Sequence, residues 1–566
     1  MPSYNNPKNN NGNPLSSREK LNIFLPLLLA LTLAGGTWIG YQISSQMNGS
    51  YVLVSNNNSQ LSPRAGKVDE ILRFIDARYL EGIEMEKLED AAIEGMLKNL
   101  DPHSSYIAAA NLQGVNESLA GGFEGIGVEF FVLEDTVYIV GVIPDGPSDK
   151  AGMEVGDKII MIGDSIIAGV GIKNKGVIDK LKGESGSGVD IKVKRSGLAE
   201  LQEISITRGE IPMRSVDVSY MLDAQTGYIK VNRFSGKTYA EFMTALEALI
   251  EKDMKDLVID LRQNPGGYLN AATDMLTQLF AKKKLLVYTE GRSYKRKEYN
   301  SNGRVLFKVG KVAVLINEGS ASASEIMAGA IQDNDRGIVI GRRSFGKGLV
   351  QEQYELSDGS ALRLTVARYF TPSGRLIQKP YEQESDDYSN DLKKRFESGE
   401  LYHKDSIKIS DSTKYYTTGG RVVYGGGGII PDVFVPLDSM DHNPYFVRTS
   451  NYIPQFVYHY MDNNRQRLKQ IGDLEAFISE YQVSDEVLED FVQFSEEKGI
   501  TRKEEDLGMI KSRLKLNIKA YVAQQLFREL GFYKVLQTKD PTIQKAIEEL
   551  HRGGESTPSA MNESTI

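Results

Sequence analysis

A chain of 566 residues is longer than one hydrophobic core serves, so about three or four domains are expected, and 40% hydrophobic with 25% charged residues is ordinary globular material. The net charge of −9 argues against nucleic acid and anionic lipid surfaces as main partners, because both select a basic face. With no cysteine in the chain, disulfides, thiol catalysis, cysteine-ligated zinc and a lipoprotein anchor on cysteine are excluded too.

The run 21–43 carries no charge, is rich in leucine and isoleucine, and is long enough to span a bilayer. Lys8, Arg18 and Lys20 precede it with only Glu19 opposing them, and no charge follows until Arg64. The expectation is a cytoplasmic 1–20, a single-pass anchor at 21–43 in a bacterial inner membrane, and the rest of the chain on the periplasmic or extracytoplasmic side. A cleaved signal peptide is the alternative, with Thr32, Leu33 and Ala34 as an imperfect small-residue site, but the apolar run continues through Trp38 and Ile39. Residues 44–66, rich in Asn and Ser, read as a flexible linker.

In 67–120, Val68, Ile71, Leu72, Ile75 and Tyr79 recur at helical spacing, and Leu88, Ala92, Met96 and Leu100 repeat the pattern after Gly82. Two short helices are expected. Asp101, Pro102, His103, Ser104, Ser105 and Tyr106 follow as a turn, in which His103 reads as a polar cap rather than a base. From 121 to 208 the texture changes to short β-like runs at 128–132, 137–143, 158–162, 189–194 and 204–207, punctuated by Gly and Pro. Gly125, Ile126, Gly127 and Val128 open the first run. Two glycines flanking one apolar residue let backbone amides converge into a nest able to hold a carboxylate. With Pro147, Ser148, Ala151, Gly152, Val155, Gly156, Asp157, Ile159 and Ile160 further on, the segment resembles a PDZ domain. That resemblance implies capture of a protein C-terminus by strand addition, with an apolar last side chain in the pocket.

After Pro212 the chain alternates β and α: a strand at 226–231, a helix at 239–252 with Phe242, Leu246 and Leu249 inward, and a buried strand at 257–261. This is an α/β core. The turn Arg262, Gln263, Asn264, Pro265, Gly266, Gly267 leads to a helix near Leu269, and a glycine pair there exposes backbone amides where a negative oxygen could sit.

A further buried strand at 312–316 runs into Ser320, Ala321, Ser322, Ala323 and Ser324, then a helix at 325–331. A serine at a strand-to-helix turn gains from the helix dipole, although with three alternating serines at least one is expected to be an ordinary cap. A base is needed. The chain has 5 histidines, at 103, 403, 442, 459 and 551, all far from Ser322 in sequence and none in a suitable motif. A lysine made neutral by burial can serve instead, and Lys347, between Gly346 and Gly348, is a candidate. Gly341, Gly346 and Lys347 also nearly spell a phosphate loop. However, Gly348 stands where Ser or Thr must ligate magnesium, and 349–356 looks like a strand where a helix is required.

Together the stretches 101–106, 260–267, 320–325 and 345–351, with Gly428, Ile429, Ile430, Pro431 and Asp432, resemble the carboxyl-terminal processing peptidases, or tail-specific proteases. The match spans 67–435 in the family's order. It implies a crotonase-like ββα protease core at 209–440, with a PDZ domain inserted at 121–208. It implies Ser322 as nucleophile, Lys347 as general base and Gln351 as the residue orienting the lysine. Gly267 matches the oxyanion-hole glycine, with the backbone amide of Ser322 or Ala323 as its mate. Four residues along a straight strand separate Lys347 and Gln351 by about 13 Å, against about 5 to 6 Å between Cβ atoms in a helical turn. The chain is therefore expected to turn near Gly346 and Gly348 before the strand begins. Where family members often carry arginine before glycine in the PDZ domain, this chain has Lys182 and Gly183.

Two regions stand outside this pattern: a polar insertion at 382–419 and a helical C-terminal extension at 441–551, followed by a tail at 552–566 expected to be disordered. In the extension, Leu474, Phe477, Leu488, Phe491 and Phe494 are expected to pack within one subunit rather than form a dimer or docking surface. Expected partners are protein or peptide C-termini, with a homo-oligomer or an activating adaptor left open. No metal or other cofactor is expected, since no paired histidine and acidic spacing occurs. The rival readings are a non-catalytic PDZ adaptor and a crotonase-like acyl-thioester enzyme; the second accounts for neither the PDZ module nor the anchor.

Overall fold

The computed structural model of the chain describes residues 65–381 and 388–552. The predicted anchor at 21–43, nearly all of the linker, and the tail beyond 552 lie outside the described residues. Among those described, no helix is long and apolar enough to cross a membrane. Residues up to 85 and from 86 onward form two compact units. The described part of the first holds the helix Ala65–Arg78.

The second unit is built on a six-stranded sheet in the order Val216–Met221, Thr226–Val231, Asp256–Asp260, Val312–Ile316, Ile338–Gly341, Val433–Phe434. The first pair is antiparallel and each later pair parallel. Thr226–Val231 and Val312–Ile316 are buried at every position, as a parallel sheet covered on both faces requires. Successive side chains point to opposite faces, and each face meets helices. Ile229, Ile259 and Val314 pack under the crossover helices Thr238–Ile250, Leu269–Thr277 and Ala323–Asp333 through Phe242, Leu246, Met275, Ile326 and Ile331. On the other face, Tyr228, Val258, Ala313 and Leu315 are covered by Ile543, Ala546 and Leu550 of the helix Pro541–His551.

A second, antiparallel sheet holds the hairpin Leu349–Glu355 and Ala361–Phe370 together with Leu285–Glu290, Lys297–Asn300 and Ser105–Ile107. The segment resembling a PDZ domain leaves the core through a ribbon of Gly122–Gly125 paired with Gly209–Pro212. Its sheet runs in the order Val128–Leu133, Thr136–Val142, Lys158–Ile162, Gly188–Lys194, Gln202–Thr207, with Val177 and Leu181 of the helix Asn174–Leu181 in its core. The C-terminal helices have a core of their own, in which Phe477, Leu488 and Phe491 are buried and Phe494 packs against them. Those side chains are thus spent within the chain. Tyr458 of this extension packs against Leu133 and Tyr138 of the PDZ-like sheet.

Besides Asn174–Leu181, the helix Ala109–Ala120 was not expected. Its Asn111, Gly114 and Asn116 are weak helix formers, and it ends on Gly121 at φ +86, a left-handed cap that glycine adopts without strain.

Candidate active site

The strands Asp256–Asp260 and Val312–Ile316 are parallel neighbours, and the two loops of interest leave their carboxyl ends, where open α/β sheets place their sites. Asn264 ties the loops together: its carbonyl accepts the Ala321 N–H at 3.0 Å and the Ser324 hydroxyl at 3.0 Å. The Ser320 hydroxyl donates to the Leu261 carbonyl at 2.8 Å. Ser320 and Ser324 are fully buried and spend their hydroxyls on this strapping. Ser322, half-buried between them, does not.

Ser322 caps the helix Ala323–Asp333 with φ 53 and ψ −113, a conformation that costs a non-glycine residue about 1–3 kcal/mol. What holds it there is Glu325, fully buried one turn on. One carboxylate oxygen of Glu325 accepts both the Ser322 N–H at 2.8 Å and the Lys347 N–H at 2.9 Å. The other accepts the Ser344 hydroxyl at 2.6 Å and the Gly346 N–H at 2.7 Å. Burial pushes the Glu325 carboxyl up to about 7 against the pull of these four donors. The Tyr369 hydroxyl sits between the carbonyls of Ser322, at 3.1 Å, and Lys347. The serine and lysine loops are therefore one assembly. A serine followed three residues on by glutamate is a capping-box pattern readable from sequence, and it was the available signal for Glu325.

Lys347 Nζ donates to Gln351 Oε1 at 2.8 Å. The bend that this contact requires comes from Gly346, at φ +90, and from a register shift between Val350 and Gln351 in the strand that follows. Gln351 Nε2 in turn donates to the His103 carbonyl at 2.5 Å, so its amide oxygen faces the lysine. Burial, then the positive charge of Arg363, lowers the Lys347 pKa below its ordinary value, with Asp101 and Glu325 pulling the other way. His103 is close by in space. Burial and the Lys347 charge press its pKa to about 4, its backbone N–H donates to Asp101 at 2.8 Å, and its ring nitrogen meets the Tyr388 hydroxyl at 2.5 Å. The turn at 101–106 thus serves the site through a backbone carbonyl rather than an imidazole base.

Gly266 lies against the serine turn, and Gly267 follows it. A Cβ on Gly266 would stand 2.9 Å from the Ala323 nitrogen and 2.8 Å from Ser322 Cβ, so the Gly266 backbone runs alongside Ser322 and Ala323. Gly267 has φ +142 and crosses the Phe234 carbonyl so closely that a Cβ would be 2.0 Å from that oxygen.

The segment read as a polar insertion bears on the lysine loop. Arg395, 4% exposed, donates to the carbonyls of Arg343 at 2.6 Å and Ser344 at 3.1 Å, and shares the buried carboxylate of Glu400 with Arg343. These arginines were invisible as site residues because they act across about 50 residues of chain on backbone atoms. At the PDZ-like end, Gly125 pairs with Gly209 in the ribbon, Ile126 is 2% exposed, Gly127 has φ +76 and Val128 begins the first strand of the sheet. Lys182 pairs with Glu117 of the core helix Ala109–Ala120 at 2.8 Å.

Comparison with known proteins finds four family models along the chain. The chain matches the model for Peptidase family S41 over 225–386, a PDZ domain over 125–206, the activating protease CtpB N-terminal domain over 30–111, and a family of unknown function (DUF8443) over 445–528. A carboxy-terminal-processing protease of Bartonella bacilliformis is 35% identical over 336 residues, 58% of this chain and 75% of its own. Carboxy-terminal processing protease CtpB of Bacillus subtilis is 35% identical over 325 residues, 57% of this chain and 67% of its own. A photosystem II D1 C-terminal processing protease of known structure is 29% identical, covering 55% of this chain and 83% of its own at a TM-score of 0.31.

Proposed function

Because this chain belongs to the carboxy-terminal processing proteases of peptidase family S41 and carries a PDZ domain, we propose that it captures protein C-terminal tails on that domain and cuts them with a Ser322–Lys347 dyad. The observation that carries the reading is the shared oxygen of Glu325, which binds the backbone of both residues while Gln351 holds the lysine amine. A neutral amine has two hydrogens and one lone pair. Donating one hydrogen to Gln351 limits where the lone pair can aim, and that lone pair takes the proton of the Ser322 hydroxyl. Ser322 Oγ then attacks the scissile carbonyl and the oxyanion meets the amides of Gly267 and Ala323; the C–N bond breaks as protonated Lys347 returns its proton to the leaving amine, and water deprotonated by the neutral lysine hydrolyses the acyl-enzyme and regenerates the Ser322 hydroxyl. The strained turn and the helix N-terminus favour negative charge on that oxygen.

Tail capture is supported by the strand Val128–Leu133, which among the described residues pairs on one side only and ends its sheet, leaving an edge for strand addition after the Gly125, Ile126, Gly127 turn. The charge pattern around 21–43 supports placing this machinery on the periplasmic side of an inner membrane.

The test is the full chain in detergent with an unstructured protein ending in apolar residues. Cleavage is expected, and amidating the substrate's C-terminus is expected to suppress it by at least about tenfold, since the nest binds a carboxylate. Tail binding without cleavage would favour the adaptor, and cleavage indifferent to amidation would remove the PDZ from the reading.

The pH dependence follows from the sign of the lysine shift. Protonated Lys347 cannot act as a base, so kcat/KM is expected to rise with pH through the lysine pKa. That pKa lies below the ordinary 10.5 because burial disfavours the cation. A profile flat from about pH 5 to 10 under chemistry-limited conditions would exclude a lysine base.

A further inference from the structure

The strand that leads to the oxyanion-hole candidate ends in a buried charge cluster that the proposed chemistry does not use. Asp260, 1% exposed, accepts the Tyr228 hydroxyl at 2.7 Å and the Arg262 guanidinium at 2.6 Å, with Lys230 Nζ at 3.5 Å. The Lys230 amine also donates to the Arg262 carbonyl. The other side of the Arg262 guanidinium is held by Asp540, at 3.1 Å from Nη1 and 2.8 Å from Nη2. Two carboxylates thus balance two cations, and the last of the four comes from about 280 residues downstream.

Asp540 is also the N-cap of the helix Pro541–His551, accepting the N–H groups of Thr542 at 2.9 Å and Ile543 at 3.2 Å. This helix covers the strands that carry both active-site loops. Its far end is tied by Lys311, which donates to the carbonyls of Leu550 at 2.5 Å and Arg552 at 2.9 Å. Lys311 immediately precedes the strand Val312–Ile316, and Arg262 follows the strand Asp256–Asp260. The helix therefore spans the sheet from the start of one strand to the catalytic end of its neighbour. Beyond Arg262 the backbone runs through Gln263 at φ 58 to Gly266 and Gly267, with few residues in which a displacement could be absorbed.

We propose that Asp540 is a positioning residue for the oxyanion hole: by clamping Arg262 it fixes the stem of the 263–267 loop, so the C-terminal extension is coupled to the reaction. This rests on the reading of Ser322 and Gly267 given above. An aspartate at this point both caps its helix and pins the arginine, and the two roles separate in Asp540→Ser. Serine caps as well as aspartate but is too short and uncharged to hold Arg262.

The experiment compares the parent, Asp540→Ser and Asp540→Glu by thermal melting, backbone amide exchange and steady-state cleavage, with Ser322→Ala as blank. For Asp540→Ser the expected result is a melting temperature near the parent's, exchange at Gly266 and Gly267 faster by about tenfold, and unchanged exchange in 541–551. Its kcat is expected to fall about tenfold at constant KM, since an oxyanion contact acts in the transition state alone. Asp540→Glu, which keeps the charge, is expected to recover part of kcat. Unchanged exchange at 266–267 overturns the proposal whether or not the parent cleaves anything. So does a loss spread over KM, kcat and melting temperature together, which would make Asp540 merely structural. A parent as inactive as Ser322→Ala would instead count against the dyad and leave the exchange result to decide the clamp.

Discussion

Replacing Ser322 by Ala, or Lys347 by either Ala or Arg, is expected to slow tail cleavage by about four orders of magnitude or more. Alanine at 322 deletes the attacking oxygen but keeps the N–H that Glu325 binds, and its strain at φ 53 is no greater than serine's, so the fold should survive. Arginine at 347 is the sharper variant. It retains a cation and most of the bulk, and the backbone N–H to Glu325 is untouched, yet a guanidinium cannot lose its proton in a protein. If the lysine works as a neutral base, arginine and alanine should be equally inactive. The measurement is the initial rate on an unstructured substrate with an apolar C-terminus, alongside the affinity of all three variants for the tail peptide, which should match the parent's. Arginine retaining more than about a tenth of the parent rate would mean that charge, not proton transfer, is what position 347 supplies.

Gly267→Ala is expected to reduce cleavage by about 10²–10³-fold, the usual effect of losing an oxyanion donor, and to lower the melting temperature as well. The added Cβ would sit 2.0 Å from the Phe234 carbonyl oxygen and 2.7 Å from its carbon. Backbone atoms, unlike the end of a flexible side chain, cannot swing away. The same residue stands at φ +142, where a Cβ is strained even in open space. Relief must therefore move the Gly267 backbone and its amide, next in the chain to Gly266, which lies against Ser322 and Ala323. Gly152→Ala is the control: it also has a positive φ but open space around it, and it should lose some stability with cleavage little changed. A Gly267→Ala protein that cuts at the parent rate would move the oxyanion donor elsewhere.

What could be read from the chain alone was whatever is written locally. Short β-like runs between Gly and Pro marked the strands of the PDZ domain, and the continuous apolar run 312–316 marked a strand buried on both faces, because burial leaves its pattern within half a dozen residues. Ser322, Lys347 and Gly267 were singled out by short motifs that resemble those of the processing peptidases, and their catalytic roles are the reading proposed above. The helix Ala109–Ala120 escaped because its residues favour a helix weakly and packing supplies the rest.

The tertiary structure decided what depends on atoms distant in sequence. It buried Ser320 and Ser324 and spent their hydroxyls on the neighbouring loop, leaving Ser322 half-buried between them. It turned His103 from a candidate cap into the carbonyl that orients Gln351, and the polar segment after 388 into a clamp on the lysine loop through Arg395. It also brought Asp540 to Arg262. None of these contacts has a sequence signature, since a hydrogen bond to a backbone carbonyl, or a charge balanced across a sheet, constrains where a residue sits and not what its neighbours in the chain are. Chemistry-bearing residues are chosen locally; the geometry that gives them a reaction is assembled by long-range packing.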